Sequence, residues 1–453
     1  MPVLQSGQFD MFPSARAGMG GAVIAVDDSL LDPFVNPAKA TRIAAGHIFA
    51  APFFHSISGA RGGGRSLPLG GGGSFGDWAA TGLITLQQLD RGGPTRNVST
   101  SDRSVFNQYV VGSIARRVTP STSVGLGVQF ATLDAIDGVD LLYAGSDRID
   151  QSGSLADFRL GFTKETTADG RFEVMFLHSR TDMRHDVRFT TWRWDSVARR
   201  TIQERRTERN DDRTRISGLH SEYSRRVGSE GWRVGWLGTI NRLSHPKIPN
   251  YVIQNIPRDP GTTFSFNVGV GVGRLVRGTS FAADLIYEPM FAETWADAAT
   301  DTAVSGGGTI RAGERTVDNS FRFNNVKLRL GAGRDLPIRG GHTTLGYQGG
   351  ISLYAINYRL HQDNHVLRTF RAQREDWVEW TPTLGLRLRS RDLDVLYNFS
   401  LTCGAGGCGD DDQVFVARPD LATGGIIAAP SSQLFMRSGA LKVHKLSITV
   451  PIR

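Results

Sequence analysis

Residues 262–274 read TTFSFNVGVGVGR. Phe264, Phe266, Val268, Val270 and Val272 fall on one parity, and Thr263, Ser265, Asn267, Gly269 and Gly271 on the other. Strand side chains alternate between faces, so the stretch predicts a strand with one apolar face and one small or polar face. In a soluble sandwich the polar face would carry charges into water. Here it suits a crowded or water-filled interior equally well. One strand does not choose between these readings; a dozen with suitable connections do.

Composition narrows the class. The 453 residues include 54 glycines and are 40% hydrophobic, which goes with many turns and alternating strands rather than packed helices. Mean hydropathy is −0.23, and no run reaches the roughly 18 apolar residues of a transmembrane helix. A spanning β-strand escapes that test, because it hides only every second residue in lipid. The net charge of +8 is mostly arginine. No nucleic-acid motif accompanies it, so it points to an anionic surface rather than nucleic acid.

Fourteen candidate strands run from 76–90 to 435–452. Val124, Leu126, Val128 and Phe130 alternate with Ser123, Gly125, Gly127 and Gln129. Val378, Trp380, Leu384, Leu386 and Leu388 alternate with Glu379, Thr381, Gly385 and Arg387. Connections near 118–122, 166–170, 228–231, 277–280, 336–341 and 390–392 are short. Those at about 90–103, 137–152, 185–212, 246–261, 291–318, 359–375 and 404–434 are long. Strict alternation of short and long connections marks a transmembrane antiparallel β-barrel, with short periplasmic turns and long extracellular loops. The fold expected is all-β, a barrel of about 14 strands over 76–453. Residues 46–75, with GARGGGRSLPLGGGG, read equally as a flexible lead-in or as a further strand pair. Some of Trp192, Trp194, Trp232, Trp236, Trp377 and Trp380 are expected in aromatic belts at the membrane interfaces.

Residues 1–45 do not read as barrel wall. They contain GMGGAVIAVDDS followed by NPA, and this resembles the N-terminal signature of FadL/PorV-type outer-membrane barrels. The close match covers residues 14–43, and the stretch SLLDPFV departs from the family pattern. The resemblance implies an N-terminal plug or hatch inside the barrel, with Gly18, Gly20, Gly21, Asp27, Asp28, Asn36, Pro37 and Ala38 as its motif positions. Phe34, Asn36 and Pro37 are the candidate ligand or gating residues, and Asp27 and Asp28 would fix the plug's turn. It further implies a passive channel for hydrophobic or amphipathic small molecules in the bacterial outer membrane. The alternative is a PorV-like protein that docks secreted or surface proteins without transport. Residues 441–453, LKVHKLSITVPIR, resemble the C-terminal strand read by outer-membrane assembly machinery, but end in Arg453 instead of an aromatic residue. Met1–Met19 lacks the apolar core of a secretory leader, so export would require a leader outside this sequence.

The remaining motifs divide between sharp and plain readings. Cys403 and Cys408, the only cysteines, stand in CGAGGC and read as a small extracytoplasmic disulfide, or as two idle thiols. A zinc site would lack two ligands. The arginine-rich stretch 184–215 would meet lipopolysaccharide phosphates, or is a solvated loop with self-paired charges. GDDDQ at 409–413 lacks the alternate spacing of a calcium loop. No HExxH, GxSxG or Walker A motif is present, and GVGVGR at 269–274 opens no helix. Neither catalysis nor a cofactor is expected.

Overall fold

The computed structural model describes residues 7–58, 63–90, 104–136, 148–166, 169–197, 199–245, 261–276, 278–298, 300–338, 343–404, 408 and 439–452. Among them, no helix is long and apolar enough to cross a membrane. Sixteen strands close into one antiparallel barrel. They are β1 (His47–Ala50 continuing as Phe53–Ile57), β2 (Gly63–Phe75), β3 (Trp78–Asp90), β4 (Ser104–Thr119), β5 (Thr122–Leu133) and β6 (Arg148–Glu165). Then follow β7 (Arg171–Asp195), β8 (Arg200–Val227), β9 (Trp232–His245), β10 (Gly261–Val276) and β11 (Thr279–Asp297). The circuit ends with β12 (Arg315–Ile338), β13 (Thr343–Asn364), β14 (Thr369–Arg389), β15 (Asp394–Cys403) and β16 (Ala440–Pro451). Each pairs with its chain neighbour. β1 closes the ring by pairing with both β2 and β16.

The count is sixteen, not fourteen, because residues 46–75 supply β1 and β2. Of the two readings of the glycine run, lead-in or strand pair, the strand pair holds, and its glycines stand where side chains have no room. A Cβ on Gly70 would stand 2.4 Å from the Gly82 carbonyl oxygen, and one on Gly71 2.4 Å from that of His47. The register of β1 is unbroken across Ala51–Pro52, since His47 faces Pro451 and Phe53 faces Lys445. Pro52 and Pro68 have no N–H, however, so β1 loses one ladder bond towards β16 and one towards β2 at the same level. The reverse bonds survive: Leu446 N–H donates to Pro52 O at 2.9 Å, and Ala51 N–H to Pro68 O at 2.8 Å.

Two stretches assigned as long connections are mostly strand: 359–375, and 185–212, where the alternation of FTTWRWD already suggests a strand pair extending above the membrane. β7 and β8 form a ribbon reaching far past β6 and β9, and β13 and β14 meet through a tight tip. The ribbon's outward charges neutralise each other locally. Asp182 takes Arg180 and Arg213, each at 2.5 Å, and Asp186 takes Arg184 at 2.9 Å and Arg209 at 3.1 Å.

The outward face carries exposed Val124, Leu126, Val128, Phe130, Leu160, Leu285, Leu384 and Leu386. Val268 and Val270 are 60% and 57% exposed. An apolar surface this extensive on a closed barrel requires an apolar solvent. The opposite parity faces inward, where Gly269 lies against Ile24 of the N-terminal segment.

Val270→Arg is expected to cost about 2–4 kcal/mol of folding stability in liposomes, near the bilayer midplane. Asn267→Arg, on the inward face, should cost clearly less. Equal costs in the same assay would remove the assignment of faces.

Candidate functional site: the barrel lumen and its N-terminal segment

Residues 7–45 contain short 3₁₀ turns at Gly7–Phe9, Ala17–Met19 and Pro37–Arg42, and one helical turn, α1 (Asp32–Val35). Their contacts run round the inner wall. The Ala15 carbonyl accepts from Gln348 of β13 at 2.9 Å, and Gly18 O and Gly20 N–H both bond Thr383 Oγ1 of β14 at 2.9 Å. Arg329 of β12 donates to Gly21 O at 3.1 Å, and Val23 N–H to Asp284 of β11 at 2.7 Å. Ile24 and Val26 cover Gly235, Gly271 and Gly273 of β9 and β10. Asp27 pairs with Arg171 of β7, and Arg159 of β6 donates to Phe34 O at 2.8 Å. Thr41 bonds Ser123 of β5 at 2.9 Å and its carbonyl accepts from Arg117 of β4 at 3.0 Å. Ser74 of β2 then bonds Ile43 O at 3.1 Å. The segment makes nearly a full circuit of the lumen before the chain enters β1.

Glycine makes this circuit possible on both sides. Gly20 and Gly21 have φ of +68° and +72°, where side chains are strained. A Cβ on Gly18 or Gly20 would lie 2.8 Å from wall backbone. On the wall, a Cβ on Gly331 would meet Met19 O at 2.2 Å, one on Gly350 Gly20 N at 2.3 Å, and one on Gly125 Pro37–Ala38 backbone at 2.6 Å. The inward-facing strand glycines therefore trace the segment's path.

Of the residues singled out in sequence, Asp28 is fully buried. Its carboxylate accepts from Ser14 Oγ at 2.6 Å and from the N–H groups of Ala15, Arg16, Leu30 and Leu31 at 2.9–3.2 Å. It clasps two distant parts of the segment together. Phe34 packs on Phe12 and Phe49, with centroids 5.4 and 5.9 Å away. Asn36 caps the turn that Pro37 opens, accepting from Ala38 N–H at 3.1 Å. These residues lie along the circuit instead of converging on one point.

An ion cluster ties the segment to β7. Lys39 Nζ stands 2.9 Å from Glu173 and 3.4 Å from Asp32, and Arg42 reaches Glu173 at 3.4 Å. Burial opposes the Lys39 charge, but Asp32, Glu173 and Glu222 outweigh it and hold its pKa above the usual range. Burial pushes the Asp32 carboxyl up to about 7; Lys39 pulls it down, while Asp28, Asp27 and Glu173 push further upward.

Beyond the segment, towards the long-connection end, the lumen carries an apolar surface that sequence reading missed. Ile356, Tyr358, Leu360 and Trp377 are buried, with Phe321, Phe323 and Tyr354 packed against them. Phe323 and Tyr358 centroids are 5.1 Å apart. Their inward direction follows from parity, because Arg329, Gln348 and Thr383 on the same strand faces touch the segment. Polar atoms edge the patch. Asn325 donates to Tyr354 OH at 2.9 Å, Trp377 Nε1 to Glu379 at 3.3 Å, and Lys327 pairs with Glu288 at 3.4 Å. Trp377, expected among the belt candidates, thus faces the lumen, whereas Trp380 is exposed on the outer face. The available signal was the cluster of aromatics in 321–323, 354–358 and 377, which lie far apart in sequence.

Cys403 and Cys408 are joined by a disulfide, with Cα atoms 4.7 Å apart. The acidic run 409–413 lies outside the described residues.

No protein-family model matches the chain, and no curated protein matches it in sequence. Among solved structures, a FadL homologue of Pseudomonas aeruginosa aligns at TM-score 0.47 and 10% identity, covering 98% of this chain and 99% of that one. The Pseudomonas putida toluene transporter TodX aligns at 0.42 and 9% identity, covering 97% and 98%. The ferric-catecholate import receptor Fiu of E. coli aligns at 0.38 and 10%, covering 91% and 82%. Proteins of such different described roles align at similar scores, so these likenesses do not separate one activity from another.

The raised Asp32 pKa fixes a sign. The docked segment favours the protonated carboxyl, so its stabilisation is complete below about pH 4 and is lost as pH rises through about 7. Protease cleavage within residues 7–45 of membrane-embedded protein should increase from pH 5 to pH 8. Asp32→Asn should flatten that rise; an unchanged profile would show that another group controls it. Separately, Cys403→Ser should hardly change stability, because a bridge with a sequence separation of only 5 restricts the unfolded chain little. A large loss in urea titration would contradict this.

Proposed function

We propose that the chain is an outer-membrane barrel through which hydrophobic or amphipathic small molecules pass by passive diffusion. The observation that carries the reading is the inward aromatic patch Phe321, Phe323, Tyr358 and Trp377, placed above a segment that circles the lumen. Apolar side chains facing the barrel interior beyond the N-terminal segment offer a ligand a surface to leave water. The polar atoms of Asn325, Glu379 and Lys327 at its edge suit an amphipathic ligand's head.

In this reading residues 1–45 act as the plug. A ligand resting on the patch leaves when the plug shifts, or sideways where β1 lacks two ladder bonds at Pro52 and Pro68. Phe12, Pro13 and Phe53 line a recess at that level, beside Ala51 and Leu446. The outer membrane is the location supported by the barrel's closure and outward apolar face.

A second reading, a non-transporting barrel that docks a secreted or surface protein, draws on one observation. The β7–β8 ribbon presents Trp192 and Trp194, 67% and 62% exposed, near its tip.

Deleting residues 1–40 should leave a heat-resistant barrel, since wall bonds run between strands, and should raise solute flux into reconstituted vesicles. Phe323→Ala together with Tyr358→Ala in the full chain should lower uptake of an apolar solute such as a monoaromatic hydrocarbon, without lowering flux of a small polar solute. Unchanged uptake in the double variant would remove the patch from the pathway. Unchanged flux on deletion, with loss of a co-purifying protein, would favour docking.

A further inference from the structure

The strand register aligns an uninterrupted row on the outer surface. Arg242 of β9 faces Phe264 of β10, Phe264 faces Phe291 of β11, and Phe291 faces Arg322 of β12. Arg322 in turn faces Arg359 of β13, and Arg359 faces Arg374 of β14. All six share the outward parity of Val268, Val326 and Val378, and all four arginines are exposed.

Three features make this row unlike ordinary surface charge. First, Arg322, Arg359 and Arg374 stand directly opposite one another on adjacent strands about 4.8 Å apart. Like charges so placed repel. Among the described ion pairs only Arg374 of the three meets a carboxylate, Asp376 at 3.4 Å. The next outward carboxylates along β12 and β13 are Asp318 and Asp363, and Asp318 is engaged by Arg315 and by His365.

Second, the height is specific. The row lies four residues beyond Val326, Ala355 and Val378, towards the long-connection end. At about 3.3 Å per residue and a strand tilt near 40°, that is roughly 10 Å above these three wall residues, at headgroup level.

Third, the row combines cation and ring. The Arg322 guanidinium lies 5.1 Å from the Phe291 centroid, and that of Arg242 5.9 Å from Phe264. Stacking holds a guanidinium against the sheet without using its N–H donors.

We infer that Arg322, Arg359 and Arg374 bind the phosphate of an outer-leaflet lipid, lipopolysaccharide in an outer membrane, whose acyl chains lie on the apolar wall below. A phosphate between opposed guanidinia turns their repulsion into charge-assisted, bidentate hydrogen bonds. Phe264 and Phe291 extend the apolar surface to the same level. The inference rests on the membrane-barrel reading and concerns the outer wall, not the lumen.

The test uses full-length protein reconstituted in phosphatidylcholine nanodiscs and titrated with bis-phosphorylated lipid A or its dephosphorylated form, with bound lipid counted by native mass spectrometry. Wild type should prefer the phosphorylated lipid by roughly tenfold or more, the scale of losing a charged hydrogen bond. The triple variant Arg322→Gln, Arg359→Gln, Arg374→Gln should lose that preference, while Arg205→Gln with Arg209→Gln on the ribbon should keep it. Arg359→Gln alone should show a partial loss and serves if the triple variant does not insert. Equal binding of both lipids by wild type, full preference in the triple or single variant, or complete competition by millimolar inorganic phosphate would each overturn the assignment. Failure of wild type to enter the nanodiscs would instead sink the membrane-barrel reading.

Discussion

In hydrocarbon a backbone amide has no water to fall back on, so every strand needs a neighbour on each side. The whole structure depends on how that demand is met at one seam. β1 joins the chain's first strand region to its last, pairing with β2 on one edge and β16 on the other. Without it, fifteen strands would expose two edges. The seam also holds the two prolines that remove ladder donors, so the element that completes the ring has its fewest bonds at Ala51–Pro52.

Closure creates an interior, and close backbone approach sets the path of the N-terminal segment within it. The N-terminal segment approaches the wall where inward positions are glycine, as at Gly125, Gly331 and Gly350. Carbonyl and amide groups of the segment then find wall side chains such as Thr383, Gln348, Asp284 and Arg329. Charge adds a second layer: Lys39 sits between Asp32 and Glu173, so a buried cation binds the segment to β7. Removing Glu173, the partner on β7, would leave that buried cation without its nearest carboxylate, which is costly.

The same register that closes the barrel gathers distant residues on both of its faces. On the inside, β12, β13 and β14 bring Phe323, Tyr358 and Trp377 together; on the outside, the same three strands align Arg322, Arg359 and Arg374. Adjacent residues in sequence, Arg322 and Phe323, thus serve opposite sides of the wall. A one-residue slip would exchange them, putting charge into the lumen patch and aromatic rings at the headgroups.

The sequence by itself determined the faces and the class. Alternation in 262–274 distinguishes Val268 and Val270 from Asn267 and Gly269 whatever the neighbours are, because the period of a strand is set by local geometry. Alternating connection lengths point to a barrel for a different reason, since short turns gather at one end of the wall and long connections at the other. The sequence left 46–75 open between a lead-in and a strand pair: Gly70–Gly73 carry no side-chain pattern, and only contact with β1 and β3 decides for strand. The extension of β7 and β8 was legible in part, from the alternation of FTTWRWD at 189–195; the aspartates shared between arginines of the two strands were not. The circuit of residues 7–45, the lumen patch and the arginine row required the tertiary structure. Each depends on which residue of one strand stands opposite which residue of the next. That register is fixed by closing all sixteen strands at once, and no single segment carries it.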